Sequence, residues 1–215
     1  KSKEEAQTAL QNAPFNTSKK KKEQLKRDLQ MSRYYEDSRK LAYKLTKWSM
    51  NLKENRKRFI ITSGGGPGIM EAANRGADEA KGLAVGLNIT LPYEQSGNKW
   101  ISKDLSLYFH YFFMRKFWFL YLAKALVIFP GGFGTLDELM ELLTLIQTEK
   151  IRKKVPVVVY DKKFWNKIIN FDQLVKMGTI SKEDMKLFYM TDSIDDAYKY
   201  LTKEIVKAHL KGKNF

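Results

Sequence analysis

The chain has no cysteine and only two histidines among its 215 residues. Disulfides and thiolate metal sites are thereby excluded, and a zinc site has little to build on. No signal-peptide pattern is found, and no apolar run is long and uninterrupted. The most apolar stretch, YFHYFFMRKFWFLYLAKALVIF, is broken by Arg115, Lys116 and Lys124, so no membrane span is expected. The expected setting is a reducing cytoplasm. With 43% hydrophobic and 29% charged residues, the composition is that of a globular protein rather than a disordered one. At this length one substantial core suffices, and a second full domain is not required.

Acidic residues are the minority: 24 Asp and Glu stand against 39 Lys and Arg, a net charge of +15. Two thirds of that surplus is local, since residues 1–58 carry 17 Lys and Arg against 7 Asp and Glu. The run SKKKKEQLKR is the densest part. Such a run is ordinarily a solvated helical face, so nucleic-acid binding is not the expected role. Residues 1–33 are expected to form a basic arm, helical or partly disordered, ahead of a single domain over residues 34–215.

From about Tyr34 to Leu52 the apolar residues Tyr35, Leu41, Ala42, Leu45 and Trp48 recur at helical spacing. RFIITSGGG then reads as a short buried strand ending in a glycine turn. The following IMEAANRGADEAKG has Ile69, Ala73, Ala77 and Ala80 on one helical face, and Gly82 ends it. LAVGLNI, ALVIFPGG and VPVVVY are further apolar runs, each separated from the next by a longer segment of helical character. This alternation predicts an α/β fold, a doubly wound, Rossmann-like parallel sheet with helices on both faces. Ligands of such sheets bind beyond the carboxyl ends of the strands.

Two glycine turns, SGGGPGIME and PGGFGTLDE, follow the first and third of these strands. Neither fits the dinucleotide pattern G-x-G-x-x-G, because Glu71 or Asp137 stands in place of the last glycine, and neither has the lysine of a P-loop. One such turn could merely reverse the chain. Two at one edge suggest a simpler phosphate, held by backbone N–H groups at helix N-termini. Thr135 adds a hydroxyl at the expected N-cap, where it either caps the helix or reaches a phosphate oxygen.

The helix after the second turn carries Leu136, Leu139, Met140, Leu143 and Ile146 as one stripe, with Leu142 and Leu145 on the side of Glu138 and Glu141. A helix apolar on both sides needs cover on both sides, and a second subunit would supply it. In FHYFFMRKFWFLYLAKA, Arg115 and Lys116 either snorkel to solvent or face a site. A buried arginine needs an anion, which a carboxylate or phosphate supplies. Nine aromatic side chains between Tyr108 and Tyr121 exceed what one core stripe can use, so part of this surface is expected to meet a partner or a flat ligand.

SGGGPGIMEAANRGA, MRK and PGGFGTLDE resemble the LOG (LONELY GUY) family, often labelled lysine decarboxylase-like, over roughly Tyr34 to Leu201. GLNITLPYEQ and LTLIQTEKI are similar to its longer bacterial branch. The resemblance implies a phosphoribohydrolase acting on cytokinin riboside 5′-monophosphates or related purine nucleotides such as AMP, without metal or cofactor, and a homodimer or higher homo-oligomer. It implies phosphate and ribose binding by Gly131, Gly132, Gly134, Thr135, Gly65, Gly66 and Gly68, and catalysis by Glu138 and Arg115. Met70, Glu71, Met114 and Lys116 are further candidates beside them. Two features depart from the family. Members usually carry an additional strand, ending in a Gly-Ser-Ala-Arg-like turn, before the helix near Tyr34; none is found, as if a segment were closed up near LQMSRYY. FFMRK replaces the His-Glu that precedes the Arg-Lys pair in short plant-like members.

Cleavage of a base from ribose passes through a cation-like sugar, which a carboxylate such as Glu138 stabilises while orienting or deprotonating water. Decarboxylation of lysine would ordinarily use pyridoxal phosphate on a Schiff-base lysine, and the sequence singles out no such lysine. The alternative is a protein that binds a nucleotide, or another phosphorylated ligand such as molybdenum cofactor, without turnover.

Overall fold

The computed structural model describes residues 1–52, 59–90 and 96–210. They divide into two compact units, Lys1–Arg115 and Lys116–Phe215. Both are parallel sheets flanked by helices, the α/β class expected.

The first unit opens with α1 (Lys3–Gln11), started by a capping box in which Ser2 and Glu5 satisfy each other's backbone N–H groups. Helix α2 (Lys19–Met50) begins where the Ser18 side chain accepts from the Lys21 N–H. It therefore starts well before Tyr34, and the expected arm boundary falls inside it. Leu25, Tyr34, Tyr35, Leu41 and Ala42 are its buried apolar residues. The sheet has the order β1 (Ile61–Ser63), β2 (Ala84–Ile89), β3 (Ser106–Phe109), all parallel. Helix α3 (Ile69–Glu79) joins β1 to β2 and packs on α2 through small residues. A Cβ at Gly76 would strike the Arg39 carbonyl and lie 3.0 Å from the Ala42 Cβ, so glycine there permits the close approach of the two helices.

Across this helix pair runs an ion network. Arg39 and Arg75 donate to the two oxygens of Glu79 at 2.6 and 2.9 Å. Burial works against ionisation of Glu79, yet these two hydrogen bonds outweigh it and hold its carboxyl below the usual range.

Helix α4 (Phe112–Leu122) runs in sequence from the first unit into the second. The second unit's sheet has the order β4 (Leu126–Ile128), β5 (Val157–Tyr160), β6 (Tyr189–Thr191), again parallel. Helix α5 (Phe133–Gln147) joins β4 to β5. Helices α6 (Lys162–Ile168) and α7 (Phe171–Lys176) lead to β6, and α8 (Ile194–His209) closes the chain's described part. The core gathers Leu139, Leu142, Val157, Val159 and Trp165, all fully buried, with Ile128 and Leu120. Leu136, Leu143, Leu145 and Ile146 pack against it. The unit's own core thus takes up Leu139 and Leu142 fully, while Leu136, Leu143, Leu145 and Ile146 stay half-buried. Exposed apolar side chains are most numerous on α4, while Phe133 and Met140 remain exposed on α5.

Strands β3 and β6 add to the four expected. Among the described residues, those from 19 to 50 form one helix and the first strand is β1, so no additional early strand is seen. Residues 91–95 of GLNITLPYEQ lie outside the described residues.

Candidate active site

The first glycine turn leaves β1 at its carboxyl end. Ser63 pairs with Gly86 of β2, so Asn88, two residues on and on the same face, projects past the end of β1. Gly65 sits there with φ +77°, and a Cβ would overlap the Asn88 carboxamide. Both conformation and space therefore demand glycine. Gly68, the N-cap of α3, has φ +75°, but a Cβ added there would meet nothing within 4 Å, so its surroundings are open.

A buried polar network braces this turn. The Gly65 N–H donates to Ser63 Oγ at 3.1 Å, and the Ser63 hydroxyl donates to Asn74 Oδ1 at 2.6 Å. Asn74, fully buried on α3, donates to the Val85 carbonyl at 3.1 Å. Asn98 donates to Asn74 Oδ1 and to the carbonyls of Gly65 and Gly66. Asn88 donates to Ser106 Oγ at 3.0 Å. None of these asparagines was among the expected site residues. Asn88 left a signal, as a polar residue closing the apolar run LAVGLNI; Asn98 left none.

Arg115 comes to this same turn. A Cβ at Gly64 would lie 2.6 Å from Met70 Sδ and 3.1 Å from Arg115 Nη1. The half-buried Arg115 also lies 5.5 Å from the centre of the Phe112 ring, in cation–π geometry. Gly64, Met70 and Arg115 are thus neighbours. Glu71 is drawn toward α2, where it accepts from the Tyr35 hydroxyl at 2.9 Å. Burial, and behind it Glu71, push that phenol up to about 12 despite the opposing Arg75. Met114 is exposed.

The second turn lies in the second unit, at the carboxyl end of β4. Helix α5 starts at Phe133, with Gly132 as its N-cap, so Thr135 is the third helical residue rather than the cap. The helix begins earlier than expected because Phe133 and Gly134 adopt helical backbone. Asp137 and Glu138 accordingly fall in its second turn, not its first. Thr135 Oγ1 packs so closely on Gly131 that a Cβ at 131 would overlap it. At Gly132 and Gly134 a Cβ would meet nothing within 4 Å, and neither has positive φ. Neither crowding nor backbone conformation explains these two glycines, which leaves the backbone open to a close approach from outside.

Glu138 is half-buried on α5. On either side of it in sequence, Asp137 and Glu141 each lie 2.9 Å from Lys116 Nζ. The hydrogen bonds to Glu141 and then Asp137 raise the Lys116 pKa, so this lysine is a fixed cation. Among the described residues, no group of three or more His, Asp or Glu could hold a metal ion, and no helix is long and apolar enough to cross a membrane.

Parallel strands ending in two glycine turns, each opening a helix, define a Rossmann-like α/β protein with backbone suited to an anion. The chain belongs to the family described as possible lysine decarboxylase, which it matches over residues 70–201; this is the LOG-type family. A protein of Oryza sativa subsp. japonica, named probable cytokinin riboside 5′-monophosphate phosphoribohydrolase LOG4, is 30% identical over 81 residues, 38% of this chain. The match spans 35% of the rice protein. Two solved structures share the fold. The molybdenum cofactor carrier protein from Chlamydomonas reinhardtii superposes with a TM-score of 0.55 at 18% identity, over 81% of this chain and 89% of its own. The structural-genomics target TM1055 does so with a TM-score of 0.54 at 20% identity, over 89% of this chain and 94% of its own.

Proposed function

We propose that the protein hydrolyses the N-glycosidic bond of a purine nucleoside 5′-monophosphate, AMP or a cytokinin riboside 5′-monophosphate, to free base and ribose 5-phosphate. The observation that carries this reading is the open backbone at Gly132 and Gly134, glycines that the fold itself does not require. With Gly131 and Thr135 of the same turn they would grip the 5′-phosphate; Gly65, Gly66 and Gly68 are proposed, within their own unit, as a second nucleotide-binding turn. Glu138 would face the anomeric carbon. The bond to the base breaks with its electron pair leaving on the base, water adds to C1′, and the carboxylate offsets the sugar's positive charge and takes the water's proton. Arg115, beside the first turn, would hold an anionic group of the substrate by charge-assisted hydrogen bonds.

The family's decarboxylase label suits the lysines less well. Lys116 is held charged by two carboxylates. Lys153, the lysine whose pKa falls to about 8, precedes β5 and lies at the opposite end of the strands from the glycine turn.

A second copy of the chain is proposed to cover α4. Phe113, Phe117 and Tyr121 form a stripe on it, 67%, 52% and 62% exposed, and the last two stack at 5.2 Å. So large an aromatic surface is unusual on a monomer.

Incubation with a panel of nucleoside monophosphates, followed by detection of free base and ribose 5-phosphate, tests the activity. Nucleotide binding without any release of base would favour the non-catalytic carrier instead.

A further inference from the structure

One side chain outside the proposed contact residues governs the shape of the first glycine turn. Asn98 lies on the segment that follows β2. Its carboxamide nitrogen is 3.0 Å from the Gly65 carbonyl, 3.2 Å from the Gly66 carbonyl and 3.0 Å from Asn74 Oδ1. Its carboxamide oxygen accepts from the Trp100 N–H at 3.1 Å, and its own backbone N–H donates to the Gly65 carbonyl at 2.7 Å. Three acceptors at one end and a donor at the other fix which way the amide points.

This arrangement draws two successive carbonyls of the turn to one side. In a planar trans peptide the C=O and the following N–H point in opposite directions. The Gly66 N–H is therefore turned away from Asn98, while Pro67 has no N–H and the Gly65 N–H is taken up by Ser63. Gly66 is itself buried, so the backbone this turn leaves open to an anion is at Gly68, where a Cβ would meet nothing within 4 Å and α3 begins. Asn74 Oδ1, which also accepts from the buried Ser63 hydroxyl, anchors the Asn98 amide to buried groups.

We infer that Asn98 is a positioning residue for the first turn: it holds the Gly65–Gly66 peptide in the orientation in which the turn's open backbone at Gly68 meets the substrate monophosphate. This rests on the reading that the first turn binds the monophosphate. The role is one of affinity for the phosphorylated sugar, distinct from the chemical step assigned to Glu138.

The test compares wild type with Asn98→Asp and Asn98→Ala. Steady-state kinetics on the best monophosphate and calorimetric binding of ribose 5-phosphate are measured between about pH 5 and pH 8, a range that spans titration of a carboxyl facing three oxygens, its pKa raised. Expected is a rise of about tenfold or more in KM and in the Kd for ribose 5-phosphate, roughly the loss of one well-made interaction, with kcat changed far less. The deficit of Asn98→Asp should shrink toward the acid end, where the protonated acid can again donate a hydrogen bond, and that of Asn98→Ala should not. Should the aspartate variant fail to fold, Asn98→Ser, which keeps a short donor, is expected to lie between wild type and Asn98→Ala in affinity. Unchanged KM and Kd in folded variants, or a fall in kcat alone, would overturn the role of Asn98. A wild-type protein that neither turns over monophosphates nor binds ribose 5-phosphate would instead refute the proposed function.

Discussion

A methyl group at Gly65 would meet two obstacles, a φ of +77° and the Asn88 carboxamide. At Gly132 it would meet neither. Gly65→Ala should therefore cost about 1–3 kcal/mol of stability through backbone strain and overlap, measured by denaturant unfolding. Gly132→Val should leave stability within about 0.5–1 kcal/mol of wild type while weakening binding of the monophosphate far more than that of the unphosphorylated nucleoside, as calorimetry would show. Equal loss for both ligands would mean that the second turn does not hold the phosphate. The two turns were legible in the sequence because glycine clusters after apolar strands are rare and have few uses. The asparagine network was not, because a side-chain amide that braces a neighbouring turn follows no periodicity. Asn98 and Asn74 become partners only when the segment after β2 folds back over α3.

Among the elements, α4 ends on a lysine rather than on a capping turn. Lys153 Nζ donates to the carbonyls of Leu120 and Tyr121, the last turn of that helix. Burial, and then the nearby Lys124, lower its pKa from 10.5 to about 8. Because the folded state disfavours the charged form, the unfolded chain binds more protons between these values, and wild-type stability gains from this group as pH rises from about 8 toward 10. Relative to Lys153→Met, wild type should gain thermal stability over that interval; a constant difference in Tm would place the lysine in water. Element by element, β1, β2, β4 and β5 could be read from short apolar runs bounded by Gly or Pro. Strand β3 could not, because SLYF merges into the aromatic run of α4. Strand β6 is three residues long and owes its existence to pairing with β5. The sequence points to a later start for α5 because Gly134 is a poor helix former, overruled here by a helix whose leucines are anchored in the core.

For the molecule as a whole, the aromatic face of α4 is the proposed contact between two copies of the chain. Phe117→Asp should shift the protein toward monomer in light scattering at unchanged secondary structure, since a carboxylate in an apolar interface is strongly disfavoured. An unchanged mass would show that α4 is not the contact. The central claim concerns chemistry, and it meets its most direct test in Glu138→Gln. An amide keeps the shape and the uncharged part of the pocket but cannot oppose the sugar cation. With the monophosphate that wild type cleaves best, release of base is measured under single-turnover conditions alongside nucleotide affinity. The expected result is a loss of about 100-fold or more in the rate of base release, near 2.7 kcal/mol of transition-state stabilisation, with affinity nearly unchanged. A folded Glu138→Gln protein that releases base at the wild-type rate would contradict it.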